Sequence, residues 1–427
     1  MDIELICLLS MLAVFLLANM LLKLPVSISM VLGAITGALV GGEGVPIRHL
    51  FEGTFTYLDT VLIIATAMIF MTVIQKSGAL DALGSLIVTT FYKVPAIMLI
   101  LLMFIVLFPG MVTGSSTAGV LTAGAIVAPI FEKIGIPKKK IGAIVAVGAI
   151  LGMAAPPVNI PALLIAGGVD MPYIGFEAPL FFIVVPMAIF TVLILGLPYC
   201  KKIDIEAIKG DLDLETGKKY GFKLYLPIIV LAILLIACRV FPNMLPNLGM
   251  PLTFLISAAI GLFTGKKIKL LESCREGVKT TIPVLAKLMG VGMFIQVMTL
   301  VGARGWIVVS CLELPTILLI IAICIVCPLF GAVSSYGSAS VLGVPFLLAL
   351  IQLFPDKAQV VMAAALSCIV CMGDLMPPTA IAGNYAAALV GEKYSGVFKK
   401  TLIPFAVIVL FSIATLLLSN SITSFLG

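Results

Sequence analysis

Apolar runs separated by short polar interruptions fill the chain from end to end. The first covers residues 3–22, and a second starts at Pro25 and reaches about Gly42. As a helix, a run of roughly 20 apolar residues spans the hydrocarbon core of a bilayer. A polar loop with Glu43, Arg48, His49 and Glu52 follows, then a helix over about 57–75 and a shorter apolar segment over 78–92. The next helix begins at Pro95 and leads into a Gly/Ser tract. Residues 110–135, with small residues at the start and Pro129 near the end, predict a re-entrant hairpin. Helices over 139–166 and 173–198 complete the first half. Residues 199–223 are the one long hydrophilic stretch, mixing Lys201, Lys202, Lys209, Lys218, Lys219 and Lys223 with Asp204, Glu206, Asp211, Asp213 and Glu215. It reads as a solvated linker. A single helix over about 224–241 then precedes a second half that starts near Pro251.

The second half restates the first. Pro25, Gly41 and Pro95 match Pro251, Gly265 and Pro315, and Phe70, Val73, Gly78 and Ala79 match Phe294, Val297, Gly302 and Ala303. FPGMVTGSS at 108–116 leads to GMAAPPVNIPALL at 152–164; PLFGAVSSYGS at 328–338 leads to GDLMPPTAIAGNY at 373–385. Gly152 stands four residues before Pro156-Pro157, and Gly373 four before Pro377-Pro378. Proline removes a backbone donor and clashes with the preceding turn, so both proline pairs break a helix. Freed backbone groups at membrane depth are tolerated only where protein, water or a solute satisfies them. Matched breaks in two halves point to a transporter's binding site. The parts are an N-terminal helix (1–23), repeat 1 (24–198; hairpin 110–135, broken helix 139–166), a linker with its helix (199–246) and repeat 2 (247–427; hairpin 331–355, broken helix 357–390).

Lysines set the relative orientation of the repeats. Lys138, Lys139 and Lys140 precede the first broken helix, whereas Lys393, Lys399 and Lys400 follow the second. Positive loops stay in the cytoplasm, so the two broken helices run in opposite directions and the repeats are inverted. The scheme needs about 14 crossings, with 78–92 and 303–313 spanning and both termini outside.

Composition agrees with an all-α polytopic membrane protein: 62% of residues are hydrophobic and 11% charged, where soluble domains average about 25% charged. The net charge of +6 comes from loop lysines and suits membrane anchoring, not nucleic acid. The first apolar run lacks a basic leader and a small-residue cleavage site, which predicts a retained helix. Cys324, Cys327, Cys368 and Cys371 fall inside apolar helices, where cysteine packs as a small hydrophobe. His49 is the sole histidine and no His-Glu-x-x-His motif occurs. An intramembrane hydrolase therefore lacks its parts, and a channel has no need of two inverted half-sites.

Sodium takes oxygen ligands. Thr113, Ser115 and Ser116, with carbonyls around Gly152 and Ala155, predict one cation site. Ser334, Ser335, Gly337 and Ser338, with carbonyls around Gly373 and Met376 and with Thr379, predict its partner. Half-helix N-termini suit an anion. Ser116, Asn159, Pro157, Tyr336, Asn384 and Pro378 are the substrate candidates at the tips and breaks. Asp374, the one acid inside either broken helix, is a candidate for holding a cation or a coupling proton, and equally for capping the following half-helix. Lys287 and Arg304 stand either near the substrate path or at the interface with their stems buried.

At these residues the chain resembles the large membrane subunit of tripartite ATP-independent periplasmic transporters. MIFMTVIQKSGALDALGSLI at 68–87, TGSSTAGVLTAGAIVAPIFEKIG at 113–135 and AAPPVNIPALLIAGGV at 154–169 carry the resemblance, which extends over nearly the whole chain. It implies an elevator mechanism and Na⁺-coupled uptake of an organic carboxylate, of the dicarboxylate or sugar-acid class, across a prokaryotic inner membrane. It also implies a small four-helix membrane subunit and a periplasmic binding protein as partners. A stand-alone homodimeric symporter, coupled to Na⁺ or H⁺, is the alternative within the same superfamily.

Overall fold

The computed structural model describes residues 2–200, 208, 210, 212–240 and 248–426, and among these every regular element is a helix. Of the linker charges, Lys201, Lys202, Asp204, Glu206, Lys209 and Asp211 lie outside the described residues. Nine described helices are long and apolar enough to cross a bilayer, and five shorter apolar ones accompany them, including Ala79–Phe91 and Gln359–Leu375. The chain is a polytopic, all-α membrane protein.

The helices gather into two packed groups. In one, Leu270–Leu300 lies against Val26–Val40, Ile47–Phe55 and Leu58–Ser77, with Ile3–Leu16 and Gly249–Thr264 outside them. Small residues allow this approach, as membrane helix packing generally requires. A Cβ on Gly292 would stand 2.2 Å from the Gly53 carbonyl oxygen, and one on Gly277 2.8 Å from the Ile69 Cα. In the other group, Lys138–Ala154 is the hub for Pro95–Thr113, Ser116–Ile134, Glu177–Gly196, Ile381–Leu389 and Tyr394–Leu417. Every residue from Ile141 to Ala154 is buried, as is every one from Val361 to Cys371. These two stretches are surrounded by protein on every side, which suits their nearly uniform apolar character.

Several boundaries differ from the pattern-based expectation. The polar loop after Gly42 contains a helix, Ile47–Phe55, which meets Leu270–Leu300 at buried Gly53 while Ile47, Phe51 and Phe55 stay exposed and Arg48 and Glu52 pair outside at 2.8 Å. Leu270–Leu300 is one unbroken helix through Pro283 and includes Arg275 and Lys279. Pro95–Thr113 likewise continues through Pro109 and Gly110, and Thr316–Ser334 through Pro328 and Gly331. The turns therefore fall at Gly114–Ser115 and at 335–338, not at Gly110 and Gly331. A lone proline forfeits one ladder bond and bends a helix, and packing on neighbours holds the rest together.

Candidate functional site

The first turn is built by three adjacent residues. Thr113 Oγ1 donates to the Pro109 carbonyl at 2.6 Å and accepts from the Ser115 N–H at 3.3 Å. Gly114 takes the left-handed conformation (φ 65°), and a Cβ there would also lie 2.5 Å from Ile160 Cγ1, so glycine is required on both counts. Ser115 is extended and caps the following helix, its Oγ accepting from the Ala118 N–H at 3.3 Å.

This turn rests on the first break. The hub helix ends at Ala154, Ala155 turns extended, and the Pro156-Pro157 bond is cis. Val158 N–H donates to the Met111 carbonyl at 3.1 Å. Asn159 spans the gap: its Oδ1 accepts from the Ala162 N–H at 2.9 Å, and its Nδ2 donates to the Ala154 carbonyl at 2.8 Å and to Ser367 Oγ at 3.0 Å. One buried amide thus satisfies the last carbonyl of one half-helix and a first amide of the next. Gly152 sits where Pro95–Thr113 crosses the hub; its Cβ would meet the Leu107 carbonyl oxygen at 2.3 Å. Its own carbonyl accepts from the Ala155 N–H at 3.0 Å and keeps a second lone pair.

The second turn and break use the same means with different residues. Ser334 Oγ donates to the Phe330 carbonyl at 2.8 Å, and Ser338 Oγ to the Cys327 carbonyl at 2.7 Å. Ser335 has φ 55°, and Gly337 passes so close to Met30 that a Cβ would stand 2.7 Å from its Cε. Gln359–Cys371 tightens into a 3₁₀ turn over Met372–Leu375 before extended Met376 and the cis Pro377-Pro378 bond. Gly373 crosses Gly331, its Cβ 2.8 Å from the Gly331 Cα. The Gly373 carbonyl accepts from the Met376 N–H at 2.9 Å. Thr379 Oγ1 donates to the Ala332 carbonyl. Ala380, with φ 40°, stands at the cap position that Asn159 holds in the first half. Asn384 lies one turn further in, exposed, with Nδ2 donating to the Thr379 carbonyl at 2.7 Å.

The two turns and breaks meet. Ser116 Oγ donates to Asp374 Oδ2, and Tyr336 Oη donates to the Gly114 carbonyl at 3.1 Å. Residues 258 and 222 positions apart are thereby joined at one junction, where Asp374 is 8% exposed and Ser116 2%. Two further groups reach the second turn and the helix after it: Lys287, one of the two basic candidates, and Tyr57, which sequence patterns did not single out. Lys287, on Leu270–Leu300, holds its ammonium 5.9 Å from the Tyr336 ring centroid, and Tyr57 donates to Ser340 at 2.9 Å. A lysine inside an apolar helix was the available signal for the first. Arg304 caps Ile160–Gly168 by donating to the Gly168 carbonyl. The first break is closed, whereas Pro377, Pro378 and Asn384 of the second are exposed. A cavity of 480 Å³, lined by Gln75, Asp81, Thr122 and Asp213 among others, lies at the far end of Ser116–Ile134 from the turn. The junction collects the polar side chains and helix ends, so it is the candidate site.

The family described as "Tripartite ATP-independent periplasmic transporter, DctM component" matches residues 12–422. The chain belongs to this family. It is the large permease of a secondary transporter and a multi-pass protein of the inner membrane, and it is not an enzyme. Among the described residues no group of histidine, cysteine, aspartate or glutamate side chains is arranged to hold a metal ion. No curated protein matches the sequence. A solved structure of MtrF from Neisseria gonorrhoeae, described as illuminating a class of antimetabolite efflux pumps, superposes with a TM-score of 0.62 at 16% identity. The match covers 96% of this permease and 97% of that chain, and it establishes a shared fold.

Proposed function

We propose that this DctM-family permease takes up a small organic carboxylate driven by Na⁺, with two inverted repeats forming the site and an elevator movement carrying it. The observation that carries this reading is the junction itself, where helix ends and hydroxyls of both halves converge at buried Ser116, Tyr336 and Asp374. Broken half-helices present unpaired amides to an anion and freed carbonyls to a hard cation. Supporting the repeat, both second arms contain a π-helical turn, Val120–Gly124 and Ala339–Gly343, offset by 339 − 120 = 219 residues. Pro109 and Pro328 share that offset. Such π turns recur at functional sites.

The two packed groups support the elevator. Gln359–Cys371 joins the hub group against Tyr394–Leu417, and Thr316–Ser334 packs on Gln359–Cys371, so the group contains both turns and both breaks; it meets the Leu270–Leu300 group through side chains such as Tyr57, Lys287 and Phe15. The cation candidates are Thr113, Ser115, Gly152 and Ala155 on one side, and Ser334, Ser335, Gly337, Ser338, Gly373, Asp374, Met376 and Thr379 on the other. Family membership supports a small membrane subunit and a soluble binding protein as partners.

The test is uptake of labelled organic acids into proteoliposomes, with the chain alone and with its partners, with and without an inward Na⁺ gradient. Sodium-dependent uptake only with the partners present is the expected result. Uptake by the chain alone replaces the tripartite assembly with a stand-alone symporter, and gradient-independent uptake removes sodium coupling. Removing the Ser115 and Ser335 hydroxyls together should raise the Na⁺ concentration for half-maximal uptake; an unchanged Na⁺ response sinks the cation-site assignment.

A further inference from the structure

The junction holds an acidic and a basic side chain that do not contact each other directly. Asp374 is carried by the second break and is held by the Ser116 hydroxyl. Lys287, on Leu270–Leu300, holds its ammonium over the Tyr336 ring. Among the described residues no carboxylate lies within 4.0 Å of the Lys287 ammonium, although the two groups feel each other electrostatically. Arg304, the other cation on an adjacent helix, donates to the Gly168 carbonyl.

A buried carboxylate is costly unless it is paired. One neutral hydroxyl does not pair it, and a dianionic substrate brought beside it would add repulsion. A ligand with a positive and a negative group satisfies both residues at once.

We propose that the substrate is an amino-bearing carboxylate, bound with its ammonium toward Asp374 and Ser116 and its carboxylate toward Lys287. This deepens the organic-carboxylate reading and rests on it. Because Asp374 and Lys287 belong to different packed groups, the ligand bridges them, and the bridge breaks when one group slides past the other. Lys287 and Asp374 are then specificity-determining residues for the charge pattern of the cargo. A site built to pair a substrate group rejects the analogue that lacks it far more strongly than an apolar pocket does.

Matched pairs of acids differing only in an ammonium against a hydroxyl test this directly: L-alanine against L-lactate, and L-aspartate against L-malate. Uptake is measured in proteoliposomes containing the full chain and its partner subunits under an inward Na⁺ gradient. The amino member of at least one pair should be preferred by about tenfold or more. Asp374→Asn should erase that preference, Asp374→Glu should retain it, and Lys287→Gln should depress uptake of both members. Equal melting temperatures of the purified variants separate loss of recognition from loss of fold. A variant that melts lower is replaced by competition of each pair against labelled substrate on the wild type.

Preference for the hydroxy acids overturns the inference while leaving carboxylate transport standing. An unchanged amino-to-hydroxy ratio in Asp374→Asn, with a raised Na⁺ requirement, also overturns it and makes Asp374 a cation ligand. No uptake of any acid removes both readings.

Discussion

Gly152→Ala asks whether the glycine four residues before the first proline pair is there for close packing. The added methyl would stand 2.3 Å from the Leu107 carbonyl oxygen, 2.9 Å from the Leu107 Cα and 3.0 Å from its carbonyl carbon. All three are backbone atoms of Pro95–Thr113, so no side-chain rotation relieves them. The helices must separate by about 1 Å to reach an ordinary contact, and overpacking of this kind costs about 1–3 kcal/mol. Alanine's better helix propensity returns only about 1 kcal/mol. Separation also pulls on the 3.1 Å bond from Val158 N–H to the Met111 carbonyl, which ties the break to the turn. The net expectation is destabilisation of about 1–2 kcal/mol, with a larger loss of uptake because the break is displaced. Gly167→Ala is the control: nothing lies within 4 Å of its Cβ position, so stability should be unchanged or slightly higher. Thermal unfolding in detergent and proteoliposome uptake, compared for both variants, decide the matter. Gly152→Ala melting at the wild-type temperature, with only its Na⁺ response altered, would refute the packing argument and favour direct ligation at the Gly152 carbonyl.

Other outcomes follow from the same geometry. Asn159→Ala removes a helix cap and leaves the buried Ala154 carbonyl without its side-chain donor, so stability should fall by about 2–4 kcal/mol; chemical denaturation with a loss below about 1 kcal/mol contradicts that role. Ser335→Gly places a residue free to adopt φ 55° at the second turn, which should stabilise the protein by about 1 kcal/mol while weakening Na⁺ dependence. Uptake titrated with Na⁺ on the stabilised variant separates the two effects. At the linker, burial would raise Asp213, but bonds from the Thr216 hydroxyl and N–H and from Lys266 outweigh it and hold its pKa below the ordinary carboxylate value. A depressed folded-state pKa contributes stability above the unfolded value of about 4 and loses it as pH falls through the folded one. Protection of the Leu214–Tyr220 amides relative to their intrinsic exchange rates should therefore fall below about pH 4, and pH-independent protection there would contradict the linkage.

Part of the site was legible along the chain because it depends on covalent geometry. Two successive prolines cannot donate, so both breaks fall where the Pro-Pro pairs stand, and a left-handed turn at Gly114 needs a glycine wherever the chain goes. The Ser/Thr tract was likewise visible, since small hydroxyl residues after a glycine cap the next half-helix. Apolar run lengths showed the membrane and most helices. They did not show that single prolines at 109, 283 and 328 would be carried inside continuous helices, because that depends on neighbours compensating one missing bond. Nor did they show that Ile47–Phe55 would be ordered by packing on Leu270–Leu300. Only the tertiary structure brought Ser116 to Asp374, Tyr336 to Gly114, Asn159 to Ser367 and Lys287 over the second turn. Those pairings join residues dozens to hundreds of positions apart. They are decided by which helix faces meet, at glycine crossings such as Gly152 and Gly373, and local sequence carries no record of that choice.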